Sequence, residues 1–123
     1  MVFLFLIALD QLAKHFVKKA FRNFNFAFSL PLPTWSMYFI YGVIMVLVLW
    51  YCAKNFGKFS FWQTLSWILI ISGAVLNIGE RIVLGFVRDF IFVFNGVFNL
   101  ADCYIIAGII ILLFLNLKPQ TKI

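Results

Sequence analysis

Apolar runs broken by short polar stretches organise this chain. The first run, residues 2–9, is too short to cross a bilayer, which takes roughly 20 apolar residues. Helical pattern continues past it through Asp10, Gln11, Leu12, Ala13 and Lys14, predicting one helix to about Val17 that is polar at its far end. A basic stretch follows with Lys14, Lys18, Lys19 and Arg22, then a Phe- and Asn-rich segment over 21–29. Pro31 and Pro33 break any regular structure after it. The second run, 35–53, is uncharged, with Trp35, Tyr38, Trp50 and Tyr51 near its ends as an aromatic belt would place them. A tight polar turn over 54–58 contains Gly57, and the third run covers about 59–78. A polar zone with Asn77, Glu80 and Arg81 leads into 82–95, where apolar and polar residues alternate around Arg88 and Asp89. That stretch is expected to be a connection at the membrane surface. The fourth run is about 98–117, with Asp102 in its first turns, and a short polar tail occupies 118–123. No internal repeat or linker interrupts the pattern, so residues 1–123 are expected to form a single membrane-embedded domain.

Composition narrows the class. Of 123 residues, 65% are hydrophobic and 11% charged, against about 45–50% and about 25% in an ordinary soluble domain. A domain of this size cannot hide so much apolar surface from water. A soluble globular enzyme, a disordered chain and a collagen-like fibre are excluded. Continuous rather than alternating apolar runs disfavour a small β-barrel. The expected fold is an all-α integral membrane protein: four transmembrane helices with a small extracytoplasmic irregular or β-like insertion.

The net charge of +6 suits membrane topology and anionic lipid better than nucleic acid in such a chain. Four spans place both termini on one side, with Lys54, Lys58, Lys118 and Lys122. The other side holds Lys14, Lys18, Lys19, Arg22, Arg81 and Arg88, so a bare positive-inside count puts the termini outside. Cys52 and Cys103 have neither disulfide-framework nor metal-ligand spacing and read as small packed residues. The start has no basic n-region and no small-x-small cleavage site, so a removable signal peptide is not expected.

Chemistry concentrates in the four acids, Asp10, Glu80, Asp89 and Asp102. Ionisable residues near apolar helix mark functional sites, because charge is costly to bury in lipid. In an up-down bundle all four fall at one membrane level. Each also has a plain structural explanation. Asp10 and Lys14 stand at i,i+4 with the acid first, the favourable order for a helical ion pair. Glu80 and Arg81 are adjacent and cannot face each other on a helix, whereas Asn77 and Arg81 can; the group suits a helix-end anchor. Asn99, three residues before Asp102, can cap the fourth helix. Asp89 beside Arg88 fits a solvated surface pair. His15, among lysines and with no second His or Cys to share a metal, reads as surface. There is no Ser-His-Asp arrangement and no Gly-rich phosphate loop; neither a metal nor an organic cofactor is expected. Two carboxylates held close have a specific use, however. They cannot both ionise easily, so they share a proton. One then activates water while the other polarises a carbonyl.

Five segments, in order, resemble the bacterial lipoprotein signal peptidases (signal peptidase II). They are Asp10-Gln11-Leu12-Ala13-Lys14; Asn23-Phe24-Asn25-Phe26-Ala27-Phe28-Ser29, similar to Asn-x-Gly-x-Ala-Phe; GAVLNIGER from Gly73 to Arg81; Val87-Arg88-Asp89-Phe90-Ile91; and Phe98-Asn99-Leu100-Ala101-Asp102. The resemblance implies an aspartic endopeptidase with Asp89 and Asp102 as its dyad. Asn23, Asn77, Arg81 and Asn99 would position the dyad and substrate, and Asp10, Lys14 and Glu80 would hold structure near the site. The implied substrate is a diacylglyceryl-modified prolipoprotein, cut before its lipidated cysteine at the outer face of the cytoplasmic membrane. Its lipid chains would lie between helices or against the Phe-rich wall. The resemblance also implies a monomer with cytoplasmic termini, against the charge count, and no nucleic-acid partner. Departures are Asn25 and Leu76 where the family has Gly, Glu80 for Asp, and Arg88 at a usually apolar position. The stretch between Lys14 and Asn23 is short, so the outer β-rich platform should be reduced. Two rival classes remain: a catalytically degenerate relative, and a small proton-coupled transporter, which would need its acids at mid-membrane depth.

Overall fold

The computed structural model describes residues 1–17, 19–24 and 32–117. Lys18, the motif residues from Asn25 to Ser29, the breaker at Pro31 and the 118–123 tail lie outside the described residues. Four helices carry the architecture among them: α1 (Val2–Phe16), α2 (Thr34–Lys54), α3 (Phe61–Leu84) and α4 (Leu100–Leu117). Three, α2, α3 and α4, are long and apolar enough to cross a membrane. α1 is not among them: its 15 residues reach roughly 22 Å at 1.5 Å per residue. The outward faces carry Phe5, Phe39, Val46, Trp50 and Phe114 exposed, as surfaces solvated by lipid rather than water should.

Strands β1 (Phe21–Asn23), β2 (Val87–Asp89), β3 (Ile91–Val93) and β4 (Gly96–Phe98) form two small antiparallel pairs. The surface connection expected over 82–95 is therefore mostly regular. α3 runs six residues beyond the expected end at 78 and stops at Gly85, whose φ of 82° is open to glycine at no steric cost. Gly85 donates its N–H to the Arg81 carbonyl at 2.9 Å. The chain then turns into β2, which pairs with β1 in the register Phe21↔Asp89 and Asn23↔Val87. β4 occupies residues expected to begin the fourth span, so α4 starts at Leu100 rather than Phe98.

α3 and α4 make the most extensive packing in the molecule, and small residues permit it. A Cβ added at Gly73 would strike the Ala101 carbonyl oxygen, and one at Gly108 the Ser66 carbonyl oxygen. Buried Ser66 and Ser72 donate their hydroxyls back to Trp62 and Ile68 carbonyls at 2.7 and 2.6 Å, so neither leaves a polar group unpaired in the seam. Beside it Leu6, Leu76, Ala101 and Tyr104 form the buried apolar cluster. Tyr104 Oη donates to the Leu6 carbonyl at 3.0 Å. Leu76, one of the departures, is thus core. Gly73→Ala should push the backbone of α4 aside beside Asp102. It is expected to cost about 1–3 kcal/mol, read as a lower Tm, with a parallel loss of turnover.

Cys52 is half-buried, but Cys103 is exposed on the outer face of α4; it does not pack as expected. The direction of its helix is set by Asp102 and Ala101, which turn inward, and position 103 follows on the lipid side.

Candidate active site

The polar residues of α3 fall on two adjacent stripes at i,i+4 spacing. Asn77 and Arg81 face a cavity, and Leu76 and Glu80 face α1. This splits the four acids into two neighbouring groups, Asp89 with Asp102 and Asp10 with Glu80.

In the first group, three asparagines join the two carboxylates. Asp89 Oδ2 accepts from Asn23 Nδ2 at 3.0 Å, a diagonal contact across the β1–β2 pair. Asp89 Oδ1 accepts from Asn99 Nδ2 at 2.8 Å. The same Asn99 amide donates to Asn77 Oδ1 at 3.0 Å, and Asn77 Nδ2 donates to Asp102 Oδ1 at 2.8 Å. Asn99 and Asp102 also cap α4 reciprocally. The Asp102 N–H donates to Asn99 Oδ1 at 2.9 Å, and the Asn99 N–H donates to Asp102 Oδ2 at 3.0 Å. The cap anticipated at Asn99 is therefore present, and its side chain also reaches Asp89.

Asp89 is 2% exposed. It is not the solvated partner of Arg88: on a strand the two side chains point to opposite faces, and Arg88 pairs with Glu80. Burial pushes the Asp89 carboxyl from its ordinary 3.8 up to about 6, and the negative charge of Asp102 acts in the same direction. The Asn23 and Asn99 amides and the Arg81 guanidinium oppose these without cancelling them.

Asn23, Asn77, Arg81, Asp89, Asn99 and Asp102 form the polar end of a cavity of about 360 Å³. Its remaining walls are apolar: Ile44 from α2, Ile70, Ala74 and Ile78 from α3, and Ile105, Ile106 and Ile109 from α4. Tyr38 and Tyr41 carry contacts that sequence reasoning missed. Tyr41 lines the cavity with its ring 5.5 Å below the Arg81 guanidinium. Tyr38, assigned above to an aromatic belt, donates its hydroxyl to the Arg81 carbonyl at 3.0 Å. Their i,i+3 spacing on an otherwise apolar helix was the available signal. Trp35, Trp50 and Tyr51 are exposed, as a belt requires.

In the second group, Lys14 Nζ lies 2.8 Å from Asp10 Oδ2 and 3.2 Å from Glu80 Oε2, with the Lys14 and Asp10 side chains fully buried. The i,i+4 pair is present and is one link of a longer network. Glu80 also accepts from Arg88 Nε at 2.9 Å, so two departures from the family pattern meet in one ion pair. Glu80 is more than a helix-end anchor, and Arg81 Nη1 donates to the Asn77 backbone carbonyl at 3.4 Å. His15 is exposed, against Phe16. Glu80 and Asp102 sit near helix ends and Asp89 in β2, while Asp10, midway along α1, is tied to Glu80 through Lys14; this gathering argues against the transporter.

A membrane-helical fold with two carboxylates gathered on shared amides has the parts that hydrolysis by a carboxylate pair would use. The sequence profile of Signal peptidase (SPase) II matches residues 2–118. The chain belongs to the signal peptidase II family. A lipoprotein signal peptidase of Streptococcus thermophilus is 34% identical over 138 residues, covering 94% of this chain and 89% of its own length. That of Streptococcus pneumoniae is 30% identical over 141 residues, covering 97% and 92%. Two solved bacterial membrane enzymes, determined by the in meso method, each superpose with a TM-score of 0.76. They are 20% and 23% identical, cover 98% and 97% of this chain and 87% and 92% of their own, and share its fold.

Proposed function

We propose that this chain removes the signal peptide from diacylglyceryl-modified prolipoproteins, cutting before the lipidated cysteine, with Asp89 and Asp102 as the catalytic pair. The observation that carries this reading is the cavity, which has two amide-linked carboxylates at its polar end and mostly apolar walls. Asp89 holds the shared proton and donates it to the scissile carbonyl oxygen. Asp102 takes a proton from the attacking water, whose oxygen bonds to the carbonyl carbon. Asp102 then protonates the leaving nitrogen as the C–N bond breaks, and the hydroxyl proton on the former carbonyl oxygen returns to Asp89. One water is consumed, and the pair is restored. Asn23, Asn77 and Asn99 hold the carboxylates. Arg81 presents its charge to the substrate backbone.

The whole chain acts as one domain and one monomer in the bacterial cytoplasmic membrane. α1 serves as the fourth membrane helix, the termini are cytoplasmic, and the strands and site lie at the extracytoplasmic face. The substrate's acyl chains occupy the apolar walls. Burying about five methylenes at about 0.8 kcal/mol each is worth about 4 kcal/mol, close to a thousandfold in affinity. The test is cleavage in nanodiscs of a lipidated prolipoprotein against the same peptide without lipid. Cleavage of the lipidated form, with KM raised about a thousandfold for the bare one, is expected. Equal KM values would sink this account of recognition, and failure to cut either substrate would sink the activity.

A further inference from the structure

β2 is short, and its alternation sends Asp89 to the cavity and Arg88 the other way, toward α1 and α3. Behind the cavity, both carboxylate oxygens of Glu80 grip Arg88. Oε2 accepts the Arg88 backbone N–H at 3.0 Å, and Oε1 accepts Nε at 2.9 Å. Arg88 reaches on to Gln11 Oε1 at 2.9 Å. At the far end of the same network Asp10 Oδ1 accepts the Ala101 backbone N–H at 3.2 Å. Lys14 bridges the two acids, 2.8 Å from Asp10 and 3.2 Å from Glu80. The row Asp10–Lys14–Glu80–Arg88 thus alternates in charge, and its two carboxylates hold two particular backbone N–H groups. One belongs to the residue just before Asp89, the other to the residue just before Asp102.

We infer that Asp10, Lys14 and Glu80, completed by Arg88, are positioning residues that set the separation of Asp89 and Asp102; the inference rests on the catalytic assignment proposed above. None of the four lines the cavity, so their effect passes through the backbone. Lys14 is the link whose charge holds the two anchors together. Without it, Asp10 and Glu80 face each other as like charges in a buried space, and each pushes its backbone anchor away from the other. A shift of about 1 Å in a catalytic group can cost about a hundredfold in rate.

The experiment compares wild type, Lys14→Met, the double variant Asp10→Asn/Lys14→Met, Arg88→Leu and Arg88→Lys. Each is assayed in nanodiscs on lipidated prolipoprotein, with kcat normalised to the folded fraction. Lys14→Met should lose about 10- to 100-fold in kcat, with KM within about twofold because the cavity walls are untouched. The double variant should recover most of the loss, since an amide in place of the Asp10 carboxylate keeps an oxygen for the Ala101 N–H and removes the repulsion. Arg88→Leu should lose less than Lys14→Met, and Arg88→Lys should restore part of that loss, having charge but no second contact.

A pH profile separates positioning from mere stability. Asp89 is faced by Asp102 from α4, Arg81 from α3, Asn23 from β1 and Asn99 at the α4 cap. If the carboxylates part, their mutual repulsion weakens, and the alkaline limb of kcat/KM should move to lower pH in Lys14→Met and Arg88→Leu. A lower Tm with wild-type kcat, KM and pH profile per folded molecule would overturn the inference. Should Lys14→Met fail to fold, the Arg88 pair decides by the same readings, because Arg88 is partly exposed and its loss is milder. Asp89→Asn serves as the control for the underlying assignment. If it is inactive while the Lys14 and Arg88 variants keep wild-type turnover, only the positioning inference falls; if it cleaves, the catalytic assignment falls instead.

Discussion

Asp89→Asn and Asp102→Asn are each expected to lower kcat by about 10³-fold or more, with KM for lipidated substrate changed by less than about threefold. The substitution is nearly isosteric and removes the ability to carry a proton to or from the reacting atoms. Binding should survive, because the Ile-lined walls are independent of both carboxylates. The two variants should differ in stability. Asp102 accepts from the Asn77 amide and the Asn99 N–H with separate oxygens. An Asn there turns an NH₂ against one of these donors, leaving a pairing broken at about 1–3 kcal/mol. Asp89→Asn meets two side-chain amides instead, Asn23 and Asn99, and Asn23 can rotate to offer its oxygen. Its Tm should therefore fall less. Residual cleavage by either variant at a tenth of wild type would mean that the acid concerned is not part of the chemistry.

The same pair fixes the pH dependence. Burial raises Asp89 to about 6, so a shared proton is held below that value and lost above it. For the free enzyme kcat/KM should fall as pH rises through about 6, a limb that belongs to the pair rather than to Asp89 alone.

Much of this site was legible in the sequence because spacing on a helix is geometry. Asp10 and Lys14 at i,i+4, and Asn99 with Asp102 at i,i+3, predicted an ion pair and a cap, and both are present. The apolar runs gave α2 and α4 to within two residues at each end and α3 except for its last six residues, since hydropathy sets length in a membrane. The region after Ile78 was less legible. Its local pattern fits a surface connection, whereas β2 exists only because residues 21–23, far away in sequence, pair with it. Gly85 was the local signal that α3 ends there and turns. Arg88 was misplaced for a related reason. Adjacent opposite charges suggest a pair in sequence, but strand alternation separates them, and only the packing of α1 against α3 supplies Glu80 and Gln11 as partners. Tyr41 beneath Arg81 is likewise a tertiary fact, set by the approach of α2 to α3.

Asn99 offers the second large effect, because it is fully buried and serves both carboxylates. Its NH₂ donates to Asp89 and to Asn77, its oxygen caps α4 through the Asp102 N–H, and its own N–H holds Asp102. Asn99→Asp separates these duties. A carboxylate keeps the cap, since it still accepts from Asp102. It cannot donate, so lone pairs now meet Asp89 Oδ1 and Asn77 Oδ1, and a third negative charge enters a site already shared by two. Such like charges disfavour ionisation of all three, and the proton needed for catalysis is divided among them. The expected result is a loss in kcat of about 10²–10³-fold despite an intact α4, with the alkaline limb of the pH profile displaced upward. Asn99→Ala loses the cap instead, about 1 kcal/mol, and leaves Asp89 with one donor fewer. Both variants should be less stable than wild type, and the Ala variant should be the more active of the two. Measuring kcat and Tm for both variants separates the two duties; the opposite ranking in activity would mean that Asn99 matters to Asp89 only through the position of α4.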